Sequence, residues 1–281
     1  LLAMLVVRKI IPDPKISRFH SDTEASPASF AEVLRNGQLL RLNYGIFALH
    51  ATLMALWLVV PLTLRQAGLA ADNHWQIYLP VLALSIVFII PVIIYSEKKA
   101  KLKPVFVVSI ATLLTGQILL ATSSDSILGT AIALLVFFTA FNLLEASLPS
   151  LISKIAPVGA KGTAIGIYSS TQFLGAFVGA AMGGHLYGAF GSGALYAFCG
   201  SLLILWMICA ITMKAPAAVR SRMYPVQEMD TDQSRELSRQ LAAIPGVSEV
   251  LVLVNDRVAY LKVDMQGFDE EQVIKLLKEG T

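Results

Sequence analysis

The chain of 281 residues is 56% hydrophobic and 15% charged, with a mean hydropathy of +0.67. Soluble domains have about 45–50% apolar and about 25% charged residues, so this composition excludes a protein that is soluble throughout. Residues 1–223 carry a net charge of +8 and residues 224–281 carry −5, which predicts two parts built for different solvents. The basic residues lie between apolar segments and form no basic face, so nucleic acid is not an expected partner.

The chain begins with a short apolar stretch, Leu1–Val7, followed by Arg8 and Lys9. Seven residues cannot span a bilayer, which requires about 20, and a signal peptide would carry its positive charge before the apolar region. We therefore interpret residues 1–11 as the tail of a transmembrane helix whose beginning is missing. The polar, proline-containing residues 12–39 are predicted to be a cytoplasmic linker.

Six long apolar segments follow between residues 40 and 213, and each has the length of a membrane-spanning helix. Glu145 is the one acidic residue within them. These segments predict a lipid-embedded bundle of six helices. The segments are Leu42–Leu64, Ile77–Tyr95, Val105–Thr122, Ser126–Ser153, Gly162–Gly188 and Ala194–Met213.

The loops between these segments alternate in charge. Four of them hold fifteen Lys and Arg residues: the stretch up to Arg41, the loops 97–103 and 154–161, and the exit 214–222. The other three hold Arg65 alone. Because Lys and Arg concentrate in cytoplasmic loops, both ends of the six-helix block are predicted to face the cytoplasm.

Glycines repeat every four residues in the fifth segment, at Gly175, Gly179 and Gly183. Small residues at this spacing allow two helix backbones to approach closely in lipid. The pattern predicts tight helix packing. A seam along which two helices slide is the alternative.

Two parts of the bundle resemble the C-terminal half of a major facilitator superfamily transporter. Tyr95–Lys103 occupies the position of the family's basic loop, although it lacks the glycines and arginines of the usual motif. Gly162–Tyr168 with Gly175–Gly188 is similar to the family's glycine-rich eleventh helix. The resemblance implies a six-helix C-terminal bundle, a missing N-terminal half as its partner, and proton-coupled export of small molecules across a bacterial inner membrane without a cofactor.

The acidic tail, residues 223–281 after a linker at 214–222, has a mixed α+β pattern. The phrase Leu241–Val250 and the order of elements resemble heavy-metal-associated, ferredoxin-like domains, with the fourth strand missing or very short. Such domains bind soft metals through a C-x-x-C motif, but Glu228–Gln233 at that position holds no cysteine, so no metal is expected. The predicted elements are a strand Met223–Glu228, a helix from Asp230 or Thr231 to Ile244, strands Val247–Val254 and Arg257–Asp264 around an Asn255-Asp256 turn, and a helix Asp269–Glu279.

Glu145 is the foremost candidate for a functional residue. It lies nine residues before Lys154, which places it about 13 Å inside the helix. An acid at that depth is costly, rarely faces lipid, and is able to exchange protons. Asn142 lies one turn earlier on the same face. A role in transport or proton coupling and a structural hydrogen bond between helices both remain open.

Further polar residues interrupt the apolar helices. Tyr168 and Gln172 are four residues apart on the glycine-rich helix, Gln117 is alone on the third helix, and Tyr44 lies on the first. In the family the substrate path runs near the midplane, and the resemblance implies that these residues line it. Hydrogen bonds between helices are the alternative. His50 is able to titrate, although a structural histidine is the simpler interpretation.

No motif of a hydrolase, zinc peptidase or phosphate-binding loop occurs, so an enzyme is not expected. The sequence, together with the resemblance, predicts half of a proton-coupled transporter. The alternative from another class is a membrane-embedded sensor or scaffold whose cytoplasmic domain docks a partner. A polar path past Glu145 would favour the transporter.

Overall fold

The computed structural model describes residues 4, 27–99, 101–123, 126–214, 219–254, 257–264 and 267–279. Three predicted segments lie outside the described residues: the truncated helix at 1–11 except for residue 4, the linker before residue 27, and the turn at 255–256.

Six of the helices are long and apolar enough to cross a membrane, as the six apolar segments predict. They are preceded by a short helix, α1 (Pro27–Arg35). The six are α2 (Gly37–Gln66), α3 (Trp75–Lys98), α4 (Leu102–Thr122), α5 (Ile127–Ile155), α6 (Lys161–Phe190) and α7 (Ser192–Ile211).

Helices occupy the second part of the predicted linker, residues 27–39. The Asn36 side chain explains where α2 begins, because its Oδ1 accepts hydrogen bonds from the backbone N–H of Gln38 at 3.0 Å and of Leu39 at 3.3 Å. Such a cap satisfies N–H groups that have no partner within the helix. The polar residues before the first apolar segment therefore form the first turn of α2.

Helices α2 and α6 form the tightest pair of the bundle. A Cβ atom added to Gly179 would lie 2.5 Å from Cα of Ala51, and one added to Gly175 would lie 2.8 Å from Cα of Phe47. Neither separation is possible without moving the backbone of α2. Two of the three glycines therefore have no room for any side chain, which is the close approach that their spacing predicts.

The remaining helices arrange themselves around this pair. Helices α3 and α4 both pack on α5, and α7 packs on α2, α4 and α6. Phe137 on α5 and Trp206 on α7 are among the largest fully buried side chains. Helices α2, α4 and α6 begin at the end of the bundle where α3, α5 and α7 terminate. We call this the basic end, because Lys98–Lys103, Lys154 and Lys161 lie there.

Cationic side chains satisfy the last carbonyl groups of α7 at the basic end. Arg41 Nη1 donates to the carbonyl oxygen of Thr212 at 2.6 Å, and Lys103 Nζ donates to that of Ile211 at 2.9 Å. The last carbonyls of a helix lack partners within it and carry partial negative charge. These bonds tie α2 and α4 to the end of α7.

The described residues of the tail domain, between 219 and 279, form a three-stranded antiparallel sheet with two helices. The strands lie in the order β1-β3-β2. The elements are β1 (Val219–Pro225), α8 (Thr231–Ala242), β2 (Val247–Leu253), β3 (Val258–Asp264) and α9 (Glu270–Glu279).

The first strand and first helix of the tail differ from the predicted bounds. Strand β1 begins inside the predicted linker 214–222, because residues 219–225 pair with the whole of β3. It ends at Pro225, which has no N–H to continue a ladder. Helix α8 ends at Ala242, two residues before the predicted Ile244. A turn at Gly246 follows, with φ of +83°, and glycine adopts this conformation without strain.

Helix α8 begins with a capping box. Asp230 Oδ1 accepts a hydrogen bond from the backbone N–H of Gln233 at 2.7 Å, and Gln233 Oε1 accepts one from that of Asp230 at 2.9 Å. The capped helix packs Leu241 on a small core in which Leu241, Ala259, Leu261, Val263 and Val273 are fully buried. One face of the sheet is therefore covered by this core.

Candidate functional site

Glu145 lies on α5, ten residues before the end of that helix and about 15 Å from it. Its side chain is 35% exposed. Oε1 accepts a hydrogen bond from Gln172 Nε2 at 3.3 Å. Oε2 is buried, has no hydrogen-bond partner among the described residues and lies 3.8 Å from Nε2 of His50. The carboxyl group thus has one oxygen bonded and one turned toward an imidazole.

His50 lies on α2, and its side chain is 12% exposed. Nδ1 lies 3.3 Å from the carbonyl oxygen of Ile46, one turn earlier. A carbonyl oxygen only accepts, so Nδ1 carries a hydrogen. Nε2 lies 2.8 Å from Gln172 Nε2, an amide nitrogen that donates. With the amide nitrogen on this side, Nε2 accepts, and this arrangement corresponds to a neutral imidazole.

Gln172 on α6 joins the other two residues. Its amide nitrogen has two hydrogens, one for Nε2 of His50 and one for Oε1 of Glu145. We call His50, Gln172 and Glu145 the His–Gln–Glu cluster. It places one titratable side chain of α2, His50, in contact with one of α5, Glu145, where both helices meet α6.

A proton on His50 changes the hydrogen bonding of the cluster. Imidazolium donates from both nitrogens, so Nε2 can no longer accept from Gln172. The amide must then turn over or move away. The new N–H faces Oε2 of Glu145, for which the described part of the chain offers no hydrogen-bond partner. The cluster therefore has two hydrogen-bond arrangements that differ by one proton.

Tyr168 lies one turn before Gln172 on α6. It is 5% exposed, and its hydroxyl group has no hydrogen-bond partner among the described residues. An unpaired buried hydroxyl costs about 1–3 kcal/mol, so Tyr168 holds an unused donor beside the cluster.

Three of the candidate residues lie elsewhere. Asn142 donates from Nδ2 to Oγ of Ser85 on α3 at 2.8 Å, and Tyr44 donates from its hydroxyl to the carbonyl oxygen of Leu202 on α7 at 3.1 Å. Gln117 lies on α4, which packs on α5 and α7. The structure does not bring these side chains to Glu145. Sequence reasoning did not single out Ser85, although it interrupts an apolar stretch of α3.

Gln117 is 2% exposed, and neither its Oε1 nor its Nε2 has a hydrogen-bond partner among the described residues. Its polar neighbour is the thiol of Cys199, a weak donor. Because an unsatisfied buried amide is destabilising, Gln117→Leu is expected to raise stability by about 1–2 kcal/mol. Thermal unfolding in detergent measures this change, and Gln76→Leu, an exposed site on α3, is the control. A destabilised Gln117→Leu variant would show that the amide has a partner.

The described residues contain no group of three His, Cys, Asp or Glu side chains that could hold a metal ion.

Comparison with known proteins gives consistent matches. The family model described as Major Facilitator Superfamily matches residues 1–180 and 96–258. The "Inner membrane transport protein YajR" of Escherichia coli (strain K12) is 35% identical over 269 residues, which cover 95% of this chain and 59% of that protein. An "uncharacterized transporter" of Buchnera aphidicola subsp. Acyrthosiphon pisum (strain APS) is 32% identical over 154 residues, 54% of this chain and 40% of that protein.

The chain belongs to the major facilitator superfamily of membrane transporters. It spans less than two thirds of the length of these curated relatives. The family is one of membrane transporters, and the relatives are named as transporters and not as enzymes. With its six membrane-capable helices, the chain is a multi-pass membrane protein.

Proposed function

We propose that this chain is the C-terminal half of a proton-coupled transporter that exports small molecules across the bacterial inner membrane. The observation that carries the proposal is the His–Gln–Glu cluster. It combines two proton-binding side chains with a bridging amide inside an apolar bundle, and ionisable residues at such depth mark substrate or proton pathways. Glu145 is one-third exposed at the surface of the described bundle, which supports proton access to its carboxyl group.

The charge pattern supports the proposed orientation. Lys98, Lys101 and Lys103 lie between the end of α3 and the first turn of α4, and Lys154 and Lys161 lie between α5 and α6. Because lysines concentrate in cytoplasmic loops, they support a cytoplasmic position for the basic end and for the tail domain. The name of the Escherichia coli relative, an inner membrane transport protein, supports the location. The missing N-terminal half would face this bundle and rock against it in alternating access.

The tail domain is proposed to be a ferredoxin-like domain without a metal. Its element order β1-α8-β2-β3-α9 and sheet order β1-β3-β2 support this assignment. The segment between β1 and α8, where related domains carry two cysteines, contains Asp230 and Thr231, which begin α8 instead. This domain therefore acts through protein contacts and not through a metal.

In this mechanism the cluster alternates between its two hydrogen-bond arrangements. The unprotonated arrangement joins α2, α5 and α6 through Gln172. Proton uptake by His50 ends the hydrogen bond that Gln172 donates to it, so the amide has to turn over or move away and the contact of α6 with α2 changes. Since these helices form the tightest pair of the bundle, a proton reaching His50 or Glu145 would act on the contact that alternating access has to adjust.

The test is proton flux through the full-length protein. We would reconstitute it in proteoliposomes that enclose a pH-sensitive dye and add a panel of amphipathic drugs. The proposal predicts proton movement that depends on a drug and exceeds that of protein-free vesicles. Transport of a drug without proton movement would contradict the coupling. Absence of both with every compound would contradict the transporter and favour the sensor or scaffold.

A further inference from the structure

The tail domain contacts the segment that joins α5 to α6. Lys262, in the middle of β3, is 8% exposed, and its Nζ donates a 2.8 Å hydrogen bond to the carbonyl oxygen of Ala156. Ala156 directly follows the last residue of α5. Lysine is almost never so buried unless its charge is paired. The contact therefore needs compensation, and the surrounding residues supply it.

Two features compensate the buried charge. Glu249 lies opposite Lys262 in the pairing of β2 with β3, and its Oε2 is 3.6 Å from Nζ. The carbonyl groups at the end of α5 carry partial negative charge, which favours a cation at that position. Lys262 is thus held between a carboxylate of its own domain and the end of a membrane helix.

A second contact lies a few residues further along. A Cβ atom added to Gly159 would be 3.3 Å from Cδ2 of Leu251. This separation is tighter than ordinary van der Waals contact, so Leu251 lies directly on the glycine backbone. The two contacts, one polar and one apolar, place the face of the sheet that is remote from its helices against residues 156–160.

We propose that the tail domain docks on residues 156–160 through Lys262, Glu249 and Leu251, and that this docking stabilises the arrangement of α5 and α6 in which Gln172 bonds Glu145. The reason is the position of the segment, which connects the helix carrying Glu145 to the helix carrying Gln172. A domain that holds both ends of this connection restricts their relative movement. The link to the cluster rests on the proposed function, whereas the docking itself does not.

Docking is tested by cross-linking in membranes, with no substrate required. In the full-length protein with its native cysteines replaced, cysteines introduced at residues 159 and 251 are expected to be joined by a short bismaleimide cross-linker, because a Cβ at residue 159 would lie 3.3 Å from the Leu251 side chain. Lys262→Ala is expected to slow this reaction at least about fivefold. Lys275→Ala, an identical change on the exposed face of α9, should leave it unchanged. Absence of the cross-link, or equal rates for both lysine variants, would overturn the docking.

A second experiment distinguishes loss of docking from misfolding of the tail domain. Gly159→Trp blocks the site from the membrane side and leaves every residue of the tail domain in place. Limited proteolysis in membranes is expected to cut the tail domain of Gly159→Trp and of Lys262→Ala faster than that of the wild type, by a similar factor. Unchanged protection in Gly159→Trp would contradict the proposed surface.

The coupling to the cluster has its own readout. Binding free energies of two coupled sites are reciprocal, so a change in the cluster must change docking. Gln172→Leu removes both hydrogen bonds of the bridge and is expected to slow the Gly159–Leu251 cross-link about fivefold. Thr171→Val, the adjacent residue on α6, is the control. A normal rate in Gln172→Leu would overturn the coupling even if transport proves to be proton-driven.

Discussion

Gly179→Leu is expected to prevent the six-helix bundle from assembling. The carbonyl oxygen and Cα of Ala51 occupy the space that even a methyl group at residue 179 would need. These are backbone atoms in the middle of α2, so no side-chain rotation relieves the clash. Helices α2 and α6 would have to separate along their whole contact, which costs about 3 kcal/mol or more.

Gly200→Leu is the matched control, because it lies in the middle of α7 and has no atom within 4 Å of an added Cβ. Size-exclusion chromatography in mild detergent reports the fraction of monodisperse protein. We expect that fraction to be close to the wild-type value for Gly200→Leu and to fall about tenfold for Gly179→Leu. A monodisperse Gly179→Leu protein of normal thermal stability would show that the two helices lie further apart.

The helical part of the fold follows from the sequence because lipid imposes simple requirements. A helix that crosses a membrane needs about 20 apolar residues and satisfies its own backbone, so apolar length alone indicates each of the six. Apolar length does not predict the first turn of α2, because Asn36 and Gln38 are polar. The helix begins there because the Asn36 side chain caps it. The glycine spacing predicts a close approach, but nothing in it identifies α2 as the partner.

The candidate site was only partly predictable, for a geometric reason. Glu145 stands out as a lone acid, whereas its association with His50 and Gln172 depends on how three helices rotate and pack. Asn142 shows the limit of reasoning along one helix. Asn142 and Glu145 are three residues apart, which corresponds to 300° of rotation about the helix axis. Their side chains therefore point 60° apart, and Asn142 contacts Ser85 on α3 instead of the cluster.

In the tail domain, the pattern of apolar residues indicates the elements, and pairing determines their ends. Strand β1 extends into the predicted linker because β3 offers seven residues for pairing. The burial of Lys262 had no signal in the sequence, where a lysine in an alternating strand is typical of a solvent-facing position. Its partner, the end of α5, is more than 100 residues away.

Glu145→Gln is expected to abolish substrate-driven proton flux in the full-length protein. A glutamine has the same shape as glutamate, and its Oε1 still accepts the hydrogen bond from Gln172, so the packing of α5 against α6 is retained. What it loses is the ability to bind and release a proton. Loss of a group that transfers a proton typically reduces a rate by a factor of 10² to 10⁴, so a reduction of about 100-fold or more is expected.

The same vesicles provide the control and the decisive comparison. Glu236→Gln, on the exposed surface of α8, should retain full flux. Gln172→Leu should lose flux because it disconnects Glu145 from His50. The double variant Glu145→Gln, Gln172→Leu should have no lower flux than Glu145→Gln alone, because the effects of substitutions within one functional unit are not additive. Wild-type flux in Glu145→Gln would remove this residue from the proton path. Additive losses would show that Gln172 acts independently of Glu145, so that the cluster would not be a single proton-binding unit.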